Sequence, residues 1–392
     1  MEADAPGPSR VPGRRAVLLG GAALGLAGCR AGPAPAPSAR QADPARVDAL
    51  LAARSAAVLA GDKAGFLATV DPAEPGFLAR QEELFGSLAA LPLAGWAETV
   101  AELDGGLVTV RVAHRYRGFD TADEVRTGHL RVGPAGFTGD GGDGRADDAQ
   151  IWSRGPVEAV TGAASLVVGS GPLRQIAALL DAAAPRVTAA VGPDWARKAV
   201  ALVPVDGEHA RALAGDRDLG EVVALATARP NADGSPGRPR ILVSPETWPR
   251  LSALGRRVVL THELTHIALD AGSDTTTPMW LVEGFADYVG YLGTSVPTRK
   301  AAAELAAEVK AGKLPDRLPD AAAFGTSAPR LSQSYQEAWL ACRMIAETHG
   351  RAKLLALYRA ARTLPEPEAL KRVLGVEDLT PAWRAYLRAH LA

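Results

Sequence analysis

The chain has 392 residues, more than a single hydrophobic core usually organises, so two folded domains plus some non-globular sequence are expected. Hydrophobic residues make up 47% and charged residues 22%, the balance of a folded globular protein, which excludes a chain disordered throughout. The formal net charge is -1 with acidic and basic residues interspersed, so there is no electrostatic footprint for DNA or an anionic bilayer, and nucleic acid is not an expected partner.

At the N-terminus, Arg14 and Arg15 precede an apolar run from Ala16 to Ala27, which is too short to span a bilayer comfortably and ends in Leu26-Ala27-Gly28-Cys29. This order resembles a bacterial lipoprotein signal peptide with its lipobox. The resemblance implies removal of residues 1–28, acylation of Cys29 and a membrane-anchored protein on the extracytoplasmic face. The paired arginines also resemble a twin-arginine export signal. Residues 29–44 are rich in Pro and Ala without apolar periodicity, as in an extended linker. The chain holds two cysteines. With Cys29 in the processed segment, Cys342 has no partner for an internal disulfide. Cys342 shares a helical pattern with Tyr335, Trp339 and Ile345 and reads as a buried, inert thiol.

Between residues 45 and 155, helical spacing of Val47, Leu50, Leu51, Val58 and Leu59, broken at Gly61-Asp62 and Asp71-Pro72, predicts two or three helices. Period-two alternation at Val108, Val110 and Val112, and again at Leu130 and Val132, then predicts antiparallel strands. This order resembles the α+β roll of the nuclear transport factor 2-like superfamily. The acidic stretch Asp140 to Asp148 lacks the spacing and distant Glu of a calcium loop and reads as a solvated hairpin. From 156 a second domain begins: the chain restarts with Val157 to Val168, a helical stretch runs from Leu173 to Leu180, short apolar runs at Ala199–Val205, Glu221–Ala228 and Ile241–Val243 read as strands, and the patterns after Glu246 are almost wholly helical. The expected class is α+β: a roll followed by a domain with a small sheet and a helical C-terminal half.

Chemistry concentrates at the junction of sheet and helices. The segment Arg257 to Leu269 contains no Gly or Pro and reads as one helix, on which His262 and His266, four residues apart, share a face and can point both imidazoles at one metal ion. Glu263 beside them is turned away from the ion but can reach a water on it. A His-Glu-x-x-His helix suits zinc, whose catalytic sites use three protein ligands and leave a fourth position for water.

A second segment, Pro278-Met279-Trp280-Leu281-Val282-Glu283-Gly284-Phe285-Ala286-Asp287-Tyr288, resembles the second active-site helix of gluzincin metallopeptidases, nearest the bacterial peptidase MA-like group, over residues 195–350. The resemblance implies Glu283 as the third zinc ligand and Asp287 as a carboxylate that orients a ligand histidine through its second ring nitrogen. Apolar Trp280, Leu281, Val282 and Phe285 predict that this helix is buried on several sides. Metzincins need Gly and a third His where this chain has Leu269 and Gly272, and no Gly-x-Met-Glu-Asn sequence precedes His262 to bind a free amino terminus. Endopeptidase or specialised amidase action is therefore expected rather than aminopeptidase action.

The implied reaction is zinc-dependent hydrolysis of peptide bonds in a peptide or protein substrate. Water on one zinc ion attacks the carbonyl, Glu263 acts as general base and then proton donor, and a downstream tyrosine or histidine stabilises the oxyanion. Tyr335 is the first candidate for that last role, with His349 and Tyr288 as alternatives. The competing reading is a catalytically inactive zinc-binding lipoprotein serving as an envelope binding or scaffold module. Against it stand Glu263, which a structural zinc site has no need for, and the presence of three obvious ligands where closed sites fill four positions.

Overall fold

The protein is described by a computed structural model covering residues 42–215, 219–220 and 222–392. The expected signal segment, most of the linker and Cys29 lie outside the described residues. The chain opens with α1 (Pro44–Ala60), α2 (Lys63–Leu67) and α3 (Pro75–Ala89). Asp43 caps α1 through the Ala45 amide, Pro44 starts it, and Gly61, at φ 69°, ends it in the left-handed conformation that glycine adopts without penalty. A four-stranded antiparallel meander follows in the order β1 (Leu93–Asp104), β2 (Leu107–Tyr116), β3 (Glu124–Val132) and β4 (Phe137–Asp140).

The second sheet comprises β5 (Glu158–Thr161), β6 (Ser165–Gly169), β7 (Ala199–Val203), β8 (Ala224–Thr227) and β9 (Arg240–Val243), ordered β5-β6-β7-β9-β8. Strands β6, β7 and β9 are parallel, while β5 and β8 pair antiparallel at the two edges. Helix α4 (Leu173–Val191) makes the crossover from β6 to β7, and α5 (Gly207–Leu213) follows β7. Beyond β9 the chain is helical: α6 (Ala253–Ala268), α7 (Met279–Tyr291), α8 (Thr298–Ala301), α9 (Ala303–Lys310), α10 (Leu331–His349), α11 (Arg351–Ala361), α12 (Glu366–Leu374) and α13 (Thr380–Leu391). Among the described residues, no helix is long and apolar enough to cross a membrane.

Alternation along the strands explains the layering. Val167, Ala199, Ala201, Val203, Ile241 and Val243 face the helical half and join one core with α4, α6, α7 and α10. Leu166, Val168, Val200 and Leu242 face the other way and join a second core with Phe66, Phe85, Trp96 and Tyr116 of the N-terminal layer. The five-stranded sheet is thus buried on both faces, and Gln41–Ala392 forms one compact unit. Buried charges reinforce the seam between the sheets. Arg240 on β9 holds Asp120 at 2.8 and 2.9 Å and Glu124 at 2.9 Å, and Glu124 also accepts from Arg126 at 2.7 Å.

Two glycines set the spacing of the helices that carry the site. A side chain on Gly284 of α7 would come within 2.3 Å of the Ala338 carbonyl of α10, and one on Gly290 within 3.0 Å of the Val258 carbonyl of α6. Their absence of a Cβ lets α7 lie against both neighbours.

Candidate metal centre

Helix α6 begins at Ser252, whose hydroxyl accepts the Gly255 amide at 3.1 Å, and ends where Arg362 donates to the Leu269 carbonyl at 2.6 Å. Its fixed turn puts His262 and His266 on the face toward α7, with Nε2 atoms 2.9 Å apart. Glu283 on α7 brings Oε2 to 3.2 Å from His262 Nε2 and 3.5 Å from His266 Nε2. One donor atom from each of the three lies within 4.8 Å of the others, and among the described residues no other three His, Cys, Asp or Glu side chains converge in this way.

The donor chemistry fits a divalent metal. Asp287, one turn beyond Glu283, accepts at 2.8 Å from His262 Nδ1, so the proton of a neutral imidazole sits on Nδ1 and the Nε2 lone pair faces the cluster. Two imidazole nitrogens and a carboxylate oxygen then share one buried point, an arrangement that requires a positive charge between them. Burial opposes a charge on His262, but Asp287, Glu283 and Glu263 together hold its pKa well above the ordinary value. Burial likewise pushes Glu283 up, and the two histidines outweigh it and hold the carboxyl far below the usual range.

Glu263 stands next to the cluster without joining it. Its Oε2 accepts the Ala226 amide of β8 at 2.6 Å, and the side chain is 7% exposed. Burial raises its pKa, partly offset by the two histidines and the Ala226 amide. The result is a carboxylate biased toward holding a proton, fixed by a backbone donor 37 residues earlier in the chain. The helical pattern of α6 carries no signal for that donor. In the antiparallel ladder Ala226 lies opposite Ile241 and turns its amide off β9 toward Glu263.

Tyr335 lies one turn inside α10, which starts at Leu331 rather than at Tyr335. Its ring centroid is 6.2 Å from that of His262, beside the Glu283 carboxylate. Burial and the surrounding carboxylates Glu283, Asp287 and Glu263 push its pKa up, so the hydroxyl stays protonated and able to donate. Phe324, from the 3-10 turn Ala321–Phe324, meets the Tyr335 ring edge-on at 5.3 Å, a contact with no trace in the sequence pattern. The other two oxyanion candidates lie elsewhere. His349 is the exposed last residue of α10, and Tyr288 lines a separate cavity with Tyr291, Arg343 and Arg351. Cys342 is fully buried in the core.

The Asp140–Asp148 carboxylates diverge. Asp140 pairs with Arg80, Asp143 with Arg131, Asp147 with His129 and Asp148 with Arg229, which leaves no shared cation position. No protein-family model, curated protein sequence or solved structure matches this chain.

Proposed function

We propose that the protein is a zinc-dependent peptidase of gluzincin type, acting as an endopeptidase at the cell envelope from a lipid anchor on Cys29. The observation that carries the reading is a buried carboxylate, Glu263, pinned by a backbone amide beside a three-donor cluster it does not enter. A metal site that served structure alone would gain nothing from it, and burying an unused carboxylate is costly.

Zinc held by His262, His266 and Glu283 would supply Lewis-acid polarisation of a water and of the substrate carbonyl. Glu263 accepts a proton as the water oxygen bonds to the carbonyl carbon, and returns it to the nitrogen as the C–N bond breaks. Tyr335, protonated and next to Glu283, donates to the oxygen on which negative charge develops. Asp287 keeps the His262 ring in one tautomer and orientation throughout.

The sheet edge supports a peptide substrate. Strand β8 is an edge, and its Ala226 amide faces off the ladder toward Glu263. By the two-residue period the Ala224 backbone faces the same way, and an extended peptide paired there would lie beside the Glu263 side chain that holds the Ala226 amide.

The test is metal analysis of the mature protein together with digestion of an unbiased peptide library. Near one zinc per chain with cleavage in the interior of peptides supports the reading. Zinc without cleavage moves the protein to the alternative, an inactive zinc-binding module.

A further inference from the structure

At the seam between the two sheets lies a cavity of about 30 Å³, walled mainly by β2 and β3 of one sheet and β7, β8 and β9 of the other. It sits on the face of the second sheet that Leu242 shares, opposite to the face of Ile241 and the helical core. The strand registers make its polar groups neighbours. His114 on β2 lies opposite Glu124 on β3, Glu124 Oε2 meets Arg240 of β9 at 2.9 Å, and Arg240 lies opposite Thr227 on β8. The volume takes an occupant the size of a water and excludes an organic molecule.

Four guanidiniums and one carboxylate line this cavity. Three of the guanidiniums are balanced: Arg126 by Glu124 at 2.7 Å, Arg240 by Asp120 at 2.8 and 2.9 Å, and Arg229 by Asp148 at 3.2 Å. Arg126 and Arg240 take one oxygen each of Glu124, so the carboxylate on the wall is already neutralised. Arg238 pairs with no carboxylate among the described residues and donates to neutral oxygens, the Thr121 hydroxyl at 3.5 Å and the Pro236 carbonyl at 3.2 Å. Its Nε, the Thr227 hydroxyl and His114 Nδ1 are all buried without a hydrogen-bond partner. Burial pushes the His114 pKa down to about 4, so at pH 7 the ring is neutral and its single proton can sit on Nδ1 as a donor. Neither the metal site nor the proposed hydrolysis uses any of these groups.

We propose that this cavity binds a small inorganic anion, a halide such as chloride. The Arg238 guanidinium supplies the balancing charge, and its Nε, the Thr227 hydroxyl and His114 Nδ1 supply the donors. Each of these groups has lost water without gaining a partner, a cost that one anion among them offsets. A water could meet the donors but would leave the charge of Arg238 without a counterion. The surplus guanidinium excludes a cation. Because its donors come from β2, from β8 and from the chain entering β9, the ion ties the two sheets together and has no site in the unfolded chain. The proposal is independent of the peptidase reading.

Chloride NMR linewidths and thermal unfolding of the full mature chain at pH 7 test it, with chloride exchanged for gluconate at constant ionic strength. The chloride line should broaden saturably and narrow again when bromide competes. The Tm should rise along the same curve, since an ion that binds only the folded chain stabilises it. Arg238→Gln, which removes the charge and the Nε donor, should weaken chloride about tenfold or more, and Thr227→Val, which removes only the hydroxyl, several-fold. Circular dichroism checks the fold of both, and Thr227→Val keeps the β-branched shape of a strand residue, so it reports on binding even where Arg238→Gln fails to fold. Zinc-loaded and zinc-stripped protein should bind chloride alike. Absence of a saturable chloride effect, full affinity in a folded Arg238→Gln or Thr227→Val protein, or chloride binding confined to the zinc-loaded form would each overturn the proposal.

Discussion

Replacing Asp287 with Ala removes the acceptor that lies 2.8 Å from His262 Nδ1 and leaves all three donor atoms of the metal cluster in place. Without that carboxylate, His262 is free to carry its proton on Nε2, the atom 2.9 Å from His266 Nε2, and to turn about its side-chain bonds. Metal binding must then select one tautomer and one ring orientation out of several. Outer partners of ligand histidines typically change metal affinity by roughly 10 to 100-fold, which corresponds to about 1.4 to 2.7 kcal/mol. The Asp287 side chain is only 16% exposed, so water replaces it poorly and the upper half of that range is expected. Asp287→Asn retains a carbonyl oxygen that can accept the Nδ1 proton and should lose less. Zinc affinity measured at pH 7 by competition with a chromophoric chelator checks both variants. Equal affinity in wild type and Asp287→Ala would refute the idea that this carboxylate orients His262.

Further outcomes follow from other parts of the molecule. Tyr335→Phe should lower kcat by about 10² to 10³ with zinc content retained and KM little changed, since its bond to the oxyanion forms only in the transition state; loss of zinc instead would make Tyr335 a positioning residue for Glu283. Arg240→Met leaves Asp120 and Glu124 buried without their guanidinium and should cost about 3 to 5 kcal/mol in urea unfolding. Burial pushes Glu124 up, but Arg240, His114 and Arg126 outweigh it and hold the carboxyl at about 2. With a folded pKa below its unfolded one, this group's contribution to stability is complete above the ordinary carboxylate pKa and is lost as pH falls toward 2. Acid titration by circular dichroism should therefore show Arg240→Met unfolding at higher pH than wild type. Cys29→Ser should abolish incorporation of a labelled fatty acid and release the protein from the membrane fraction.

The convergence of His262, His266 and Glu283 is legible in the sequence because each half of it is local. His262 and His266 are linked by one helical turn, Glu283 and Asp287 by another, and the apolar residues around Glu283 announced a buried helix. What joins the two turns is not local. The approach of α7 to α10 depends on Gly284 having no side chain beside the Ala338 carbonyl, which the sequence shows only as a glycine within a helix. The bond from Ala226 to Glu263 uses a backbone amide, and a backbone donor has no residue signature. Strand β1 escaped notice because Leu93–Asp104, with its Ala, Glu and Leu content, lacks the clear alternation of Val108, Val110 and Val112. The sharing of Leu166, Val168, Val200 and Leu242 with the N-terminal layer was hidden for a related reason. A strand buried on both faces reads as a plain apolar run and does not say what covers each face.

In the proposed reaction Glu263 moves the proton while His262, His266 and Glu283 hold the metal. Glu263→Gln tests it most directly, with zinc per chain and steady-state cleavage of the best library peptide measured on the same preparation. Glutamine matches glutamate in shape, and its amide oxygen can still accept the Ala226 amide, so fold and zinc content should stay near wild type. Turnover should fall almost to nothing, because the amide cannot take a proton from water. Wild-type turnover in a zinc-loaded Glu263→Gln protein would contradict the mechanism.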